Sequence, residues 1–183
     1  MNYIYHLKPN PFIGNSLIPL NSMDKDSELY KSHVQKYLGR EHLMDEEIPK
    51  LDCKWNDVVQ FSAIDPKILL NKLKEIFPNT KVIRAEYFKI SIEQVIPKYE
   101  VALFQRNPLQ EKGNFKIYPE DIKILKSPDD FQELYEVPER TLQYWEEVKL
   151  KNDKPLWFPY IPHIFIKGNV DTTAFQVCEL NHD

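Results

Sequence analysis

Residues 162–180 read PHIFIKGNVDTTAFQVCEL, and this stretch decides how the end of the chain folds. The apolar run from His163 to Ile166 lies between a proline and a glycine, which predicts a strand that begins at His163. The alternating segment FQVCEL predicts a second strand, with a turn near residues 169–173. The chain therefore ends in β structure, and one of these strands opens with a histidine.

Patterns earlier in the chain predict further strands and helices. Strands are expected over residues 2–7, 54–62, 81–90 and 98–106. Helices are expected from Asp26 or Ser27 to Leu38, from Asp65 through Phe77 and over residues 137–151, with short helical pieces in 119–136. The first helix is expected to bury a face of five side chains: Leu29, Tyr30, His33, Val34 and Tyr37. This order favours an α+β domain over residues 1–183, with a mostly antiparallel sheet and helices packed around it.

Composition narrows the class of protein. The 183 residues are 42% hydrophobic and 13% aromatic, which is typical of a globular domain, and the net charge of −4 gives no signal for nucleic acid. Six basic and two acidic side chains lie in 66–92, whereas nine acidic and three basic ones lie in 119–148. These stretches are either two solvated faces or, for the basic one, the wall of a cleft for a phosphate-bearing ligand.

Several common sites are absent from the sequence. The four glycines form no dinucleotide-binding or P-loop motif, and the cysteines and histidines lack the spacing of a zinc site. The chain has only two cysteines, Cys53 and Cys178, and this low number favours a reducing compartment over a disulfide-stabilised protein. No membrane helix or signal peptide is predicted, so we expect a cytoplasmic protein, or one delivered to a host without a cleaved signal.

Three polar side chains stand at places where a strand could present them to a ligand. His6 shares a strand face with Ile4, Ser62 ends a predicted strand, and His163 begins one. A histidine at the end of a strand can reach water and titrate near neutral pH. Each side chain also has a purely structural interpretation: a core histidine for His6, a turn cap for Ser62 and a strand cap for His163.

Three segments carry a resemblance to a known superfamily. IYHL (4–7), NDVVQFSAIDP (56–66) and residues 162–180 resemble, in this order, strands of the ADP-ribosyltransferase superfamily, in particular its DarT-like toxins. They cover 34 of the 183 residues. The resemblance implies a split, mostly antiparallel sheet that binds NAD as substrate or ligand. It also implies that Tyr5, His6, Phe61 and Arg84 contact the nucleotide, with His6 on the nicotinamide ribose.

The sequence departs from that family at one position. The closing strand of the family begins with a glutamate that stabilises the positive charge on the sugar, but His163 occupies this position here. A neutral imidazole accepts a hydrogen bond but supplies no negative charge to an oxocarbenium ion. The resemblance therefore implies either NAD binding without turnover or the use of another carboxylate, such as Glu86 or Glu179. Side chains that could contact the ring or the pyrophosphate are Trp55, Tyr87, Tyr99 and Lys89.

Two other functions remain open from the sequence. One is a non-enzymatic interaction module, such as a bacterial effector, an immunity protein or a toxin-system subunit, because no complete catalytic set is present. The other is a thiol hydrolase with Cys53 as nucleophile, His163 as base and Asn169 or Asp171 as the orienting group. The nucleotide hypothesis requires that His6, Ser62 and His163, its predicted catalytic residues, meet at one cleft. Its acceptor would be an unidentified macromolecule.

Overall fold

The computed structural model describes residues 1–35, 37–80, 86–107 and 115–180. Its strands, in chain order, are β1 (Tyr3–Leu7), β2 (Ser16–Leu17), β3 (Glu47–Ile48), β4 (Cys53–Lys54), β5 (Val58–Ser62), β6 (Glu86–Ser91), β7 (Val101–Phe104), β8 (Ile122–Ile124), β9 (His163–Lys167), β10 (Val170–Asp171) and β11 (Gln176–Glu179). The α-helices of the described residues are α1 (Glu28–Gln35), α2 (Pro66–Ile76), α3 (Ile92–Val95) and α4 (Glu139–Leu150). The predicted α+β class is confirmed.

Seven strands form one antiparallel sheet in the order β11-β6-β1-β5-β9-β7-β8. Two short ribbons, β2 with β10 and β3 with β4, lie outside it. The central position of β9 follows from its sequence, because Ile164, Phe165 and Ile166 are all fully buried and a strand covered on both faces needs a continuous apolar run.

The register of the sheet assigns each side chain to one of two faces. Paired residues of neighbouring antiparallel strands point to the same side, and Tyr5 pairs with Ser62, which pairs with His163. We call this side face A. His6 follows Tyr5 in β1 and therefore points to the opposite side, face B, as does Phe61.

A separate hydrophobic core covers each face. Face B packs Ile4, Phe61, Phe88 and Ile164 against α3 and the β2–β10 ribbon. On face A, residues 48–51 and Ile117 cover one end of the sheet. Leu70 of α2 covers Tyr5 and Tyr87 at the other end.

The two long helices pack against each other beside face A. The Asp65 carboxylate accepts a hydrogen bond from the Lys67 amide at 2.8 Å, and Pro66 occupies the first turn, so α2 begins where its sequence predicts. The side chains between the helices are Ile64, Leu69, Leu73, Ile76 and Trp145. Trp145 is fully buried, and its Nε1 donates to the Leu156 carbonyl at 2.8 Å.

The sheet is nearly interrupted between β1 and β5. Only Tyr5 and Ser62 are registered as partners between these two strands, whose residues are all described, whereas β1–β6 and β5–β9 each have five pairs. On one side of this pair, residues 131–134 insert: the Leu134 amide donates to the Ala63 carbonyl, and the Glu133 carboxylate accepts from the Tyr3 amide. On the other side the strands diverge.

Three predicted elements differ from the structure. The strand expected over 54–62 begins at Val58, because Trp55–Asp57 forms a 3₁₀ turn whose Asp57 carboxylate accepts from the Lys54 amide at 2.7 Å. The helix expected to reach Leu38 ends as α1 at Gln35. Within 119–136, β8 lies between two 3₁₀ turns.

The face assigned to α1 is less buried than its pattern predicts. Tyr30, His33 and Val34 are half-buried, whereas Leu29 is 38% exposed and no residue of the helix is fully buried. This side of the helix borders an open cleft, which Leu29 and His33 line.

Candidate functional site: a cleft between diverging strands

A cleft of about 480 Å³ opens where β1 and β5 diverge. Continuing the Tyr5–Ser62 register would place Pro9 opposite Val58, but these two residues line the cleft instead of pairing. The remaining wall comes from residues 11–23, α1, the loop after α1 and the Trp55–Asp57 turn. This volume is in the range of small-molecule sites.

His6 is the predicted site residue that lies in this cleft. Its ring packs edge-on against Phe61, with centroids 5.3 Å apart, and its Nδ1 donates to the Leu7 carbonyl at 2.6 Å. Phe61 itself is fully buried. The imidazole is therefore held in a defined orientation, with Phe61 as its support on face B and not as a ligand contact.

Neither Ser62 nor His163 is among the described residues that line this cleft, and the register places both on the face opposite to that of His6. The Ser62 hydroxyl donates to the Ile64 carbonyl at 2.9 Å and accepts from the Ile64 amide at 3.1 Å, which makes it a cap of the turn before α2. The expected convergence of His6, Ser62 and His163 is therefore wrong. Successive side chains of a strand point to opposite faces, so His6, which follows Tyr5, lies on the face opposite to that of Tyr5, Ser62 and His163.

His163 lies in a half-buried position that disfavours its charged form. Its ring faces Phe158, with centroids 6.4 Å apart, and burial lowers the pKa of the imidazole to about 4, although a hydrogen bond with the Ile161 backbone acts in the opposite direction. His163 is therefore neutral at physiological pH. The prediction that a strand begins at His163 is confirmed, and its imidazole lies on face A.

Tyr5 also points to face A, where it is 2% exposed. Its hydroxyl donates to the Glu133 carboxylate, and burial together with this carboxylate raises the pKa of the phenol. This contact joins β1 to the inserted residues 131–134. Arg84, the predicted pyrophosphate contact, lies outside the described residues.

Other side chains predicted for the ligand have structural partners. Tyr87 is buried beside Leu70, and Tyr99 accepts a hydrogen bond from the Asp171 amide at 3.1 Å. Lys89 lies over the ring of Tyr3, 4.1 Å from its centroid. Glu86 pairs with Lys8 at 2.6 Å. None of these four, nor Glu179, is among the described residues that line the cleft.

The cleft wall carries positive charge and hydrogen-bond donors. Besides His6 it contains His33 and Arg40, and none of the described lining residues is Asp or Glu. Arg40 is exposed at the mouth, whereas Asn56 is only 3% exposed. The Asn56 Nδ2 has no hydrogen-bond partner among the described residues, although a buried amide is normally paired. Such a wall suits an anionic ligand that also has acceptor atoms.

Sequence reasoning missed Asn56 and Arg40. Trp55, which the sequence predicts as a possible stacking residue, does line the cleft. However, its ring packs edge-on against Phe104, Phe115 and Phe165, and its Nε1 donates to the Tyr37 hydroxyl at 3.2 Å. The sequence carries one signal for Asn56: a polar residue two positions before the run VVQF lies close to the start of a central strand.

The environment of Cys53 does not favour a thiol hydrolase. Cys53 lies in β4, paired with Ile48, and burial raises the pKa of its thiol to about 11. A nucleophilic cysteine needs the opposite shift, because the thiolate is the reactive form. Cys53 and Cys178 are both free.

Comparisons with protein-family models, with curated proteins and with solved structures found no match. Within the described residues, no group of three or more His, Cys, Asp or Glu side chains could hold a metal ion. None of the described helices is long and apolar enough to cross a membrane.

Proposed function

We propose that this chain binds NAD or a related nucleotide in the cleft between β1 and β5. The observation that carries the proposal is the divergence of the two strands after one registered pair, which opens a cavity of ligand size beside His6. Arg40 supplies positive charge for phosphate oxygens, and His6 and His33 supply polar ring nitrogens for ribose hydroxyls. Apolar side chains such as Phe12 and Leu20 supply the surface that a heterocyclic base needs.

An ADP-ribosyltransferase-like fold belongs to this proposal. Its support is the interrupted sheet together with the position of a histidine on the first strand at the opening. We do not assign a role in ADP-ribose transfer to His163. That imidazole is neutral at physiological pH and faces the other side of the sheet from His6, so it offers no negative charge to a developing oxocarbenium ion. We therefore propose a binding function, with a transferase activity only if a carboxylate from elsewhere supplies that charge.

Isothermal titration with NAD tests the proposal. We expect saturable heat at up to millimolar NAD with the wild-type chain, and at least tenfold weaker binding by His6→Ala. His42→Ala is the matched control, because His42 is exposed and is not one of the described cleft residues. Absence of heat with a chain shown to be folded by circular dichroism would end the proposal.

A second candidate is a module that binds another protein. It is favoured by three apolar side chains at the cleft that are exposed: Ile13 at 81%, Ile18 at 40% and Leu29 at 38%. Exposed apolar groups gathered at a cleft are typical of interaction sites. Under this candidate the wild type releases no heat with NAD, and a partner recovered by affinity capture is lost with Ile13→Asp as the bait but kept with Leu150→Asp.

A further inference from the structure

Apolar side chains line the cleft from its inner part to its rim. Leu17, Leu20 and Val59 line the cavity and are more than nine-tenths buried, so they belong to its inner part. Ile18 and Leu29 also line the cavity but are exposed, so they belong to its rim. A ligand that fills the cleft therefore meets hydrocarbon at both depths.

The apolar surface at the rim is the part that a nucleotide covers least well. Ile13 is 81% exposed, Ile18 40% and Leu29 38%, and all three line the same cleft. Exposed apolar groups gathered at a concave site are typical of a place where an apolar group binds. The hydroxyls and phosphates of a nucleotide would leave these side chains beside polar atoms or water, whereas a hydrocarbon chain covers them.

One permanent positive charge lies at this rim. Arg40 is exposed and is the only Lys or Arg among the described lining residues, which include no Asp or Glu. Burial raises the pKa of Tyr37, whereas the hydrogen bond from Trp55 and the charge of Arg40 lower it, which places the guanidinium near the Tyr37 hydroxyl. Tyr37 and Trp55 line the cleft as well. A single guanidinium matches one carboxylate, with which it forms charge-assisted hydrogen bonds.

From this arrangement we infer that the cleft binds a free long-chain carboxylic acid, with its hydrocarbon chain against the apolar wall and its carboxylate at Arg40. This ligand class goes beyond the nucleotide of the proposed function and occupies the same cleft, so the two ligands compete. The long apolar body and single charged end of such an acid complement a wall that is apolar up to a rim with one permanent charge.

Isothermal titration with octanoate, decanoate and dodecanoate tests the inference. Each additional buried methylene group should raise the affinity about fourfold, so each step of two carbons should raise it roughly 16-fold until the chain fills the cleft. We expect saturable binding of dodecanoate at a single site of the wild-type chain. Adsorption to scattered apolar surface would not saturate in this way.

Variants separate the charge from the apolar wall. Arg40→Gln should weaken binding of decanoate about three- to tenfold and leave binding of 1-decanol, which has the same chain length without a charge, unchanged. Ile18→Asp should weaken binding of both ligands about fivefold or more, because it places a charged group on the apolar wall. Leu150→Asp is the control, since Leu150 is 85% exposed and is not one of the described cleft residues, and it should bind both ligands as the wild type does.

The outcomes separate this inference from the proposed function. If the folded wild type gives no saturable heat with dodecanoate, or if affinity does not rise with chain length, the inference is overturned whether or not NAD binds. If dodecanoate binds and NAD gives no heat, the proposed function alone fails. If both bind, saturating NAD should lower the apparent affinity for dodecanoate, and independent binding of the two would overturn the placement of the acid in this cleft. Unchanged binding of decanoate by both Arg40→Gln and Ile18→Asp would overturn it as well.

Discussion

The imidazole of His163 couples the stability of the fold to pH. In the folded chain its pKa is about 4, compared with 6.5 for an ordinary histidine, so the folded state binds a proton less readily than the unfolded state. The contribution is fully present above pH 6.5 and is lost as the pH falls from 6.5 toward 4, because the unfolded chain takes up the proton first. Below pH 4 both states are protonated at this position.

Between pH 6.5 and pH 4 we therefore expect the free energy of unfolding of the wild type to fall by up to about 3 kcal/mol more than that of His163→Gln, whose side chain does not titrate. Urea denaturation at pH 4, 5, 6 and 7.5 measures the difference. Because Asp130 and Asp171 titrate in both proteins, the comparison isolates the imidazole. His42→Gln should retain the wild-type dependence, and equal pH slopes for wild type and His163→Gln would contradict the assignment.

At the scale of elements, Trp145 is the largest fully buried side chain that holds α4 to the fold. Trp145 fills the space between α2 and α4 and donates to the Leu156 carbonyl, which fixes the loop after the helix. Leu150 in the same helix is 85% exposed and contributes no comparable burial. The amphipathic pattern of α4, with its apolar stripe facing α2, thus depends on a few residues.

Trp145→Phe should lower the free energy of unfolding by about 1–3 kcal/mol, because it leaves the Leu156 carbonyl without its donor and a void beside α2. Leu150→Ala should change it by less than about 0.5 kcal/mol. Urea unfolding monitored by circular dichroism at 222 nm compares the two. Similar losses for both variants would show that the α2–α4 contact does not depend on this indole.

Elements with strong local signals could be predicted from the sequence. The cap and first-turn proline of α2, the apolar run of β9 and the alternation of β1 all specify their structures locally. Strand pairing could not be predicted in this way: β9 and β11 are close in sequence, with only β10 between them, but lie on opposite sides of the β1–β5 boundary. His6 could be identified as a candidate, but its separation from His163 depends on the register between strands far apart in sequence. Asn56 needed three-dimensional information, because only the fold shows that its amide is unpaired.

At the scale of the molecule, Glu133 joins the beginning of the chain to its third quarter. Its carboxylate accepts from the Tyr5 hydroxyl and, at 2.8 Å, from the Tyr3 amide, while its own amide donates to the Asn2 side chain. Glu133 is 5% exposed, so these donors have little access to water as a substitute. This contact closes one side of the boundary between β1 and β5.

Glu133→Ala should cost about 2–4 kcal/mol, because it leaves buried donors on β1 without an acceptor. Glu136→Ala, three residues away and exposed, should have an effect below about 0.5 kcal/mol. Thermal and urea unfolding of both variants give the comparison. A Glu133→Ala protein as stable as Glu136→Ala would mean that the inserted segment is held by other contacts.

The single registered pair between β1 and β5 divides the strand hydrogen bonds of the sheet into a group of three strands and a group of four. Side-chain packing joins the two groups, because Ile4 and Phe88 of the first share one hydrophobic core with Phe61 and Ile164 of the second. The cohesion of the two halves therefore depends more on this shared core than on strand hydrogen bonds between them.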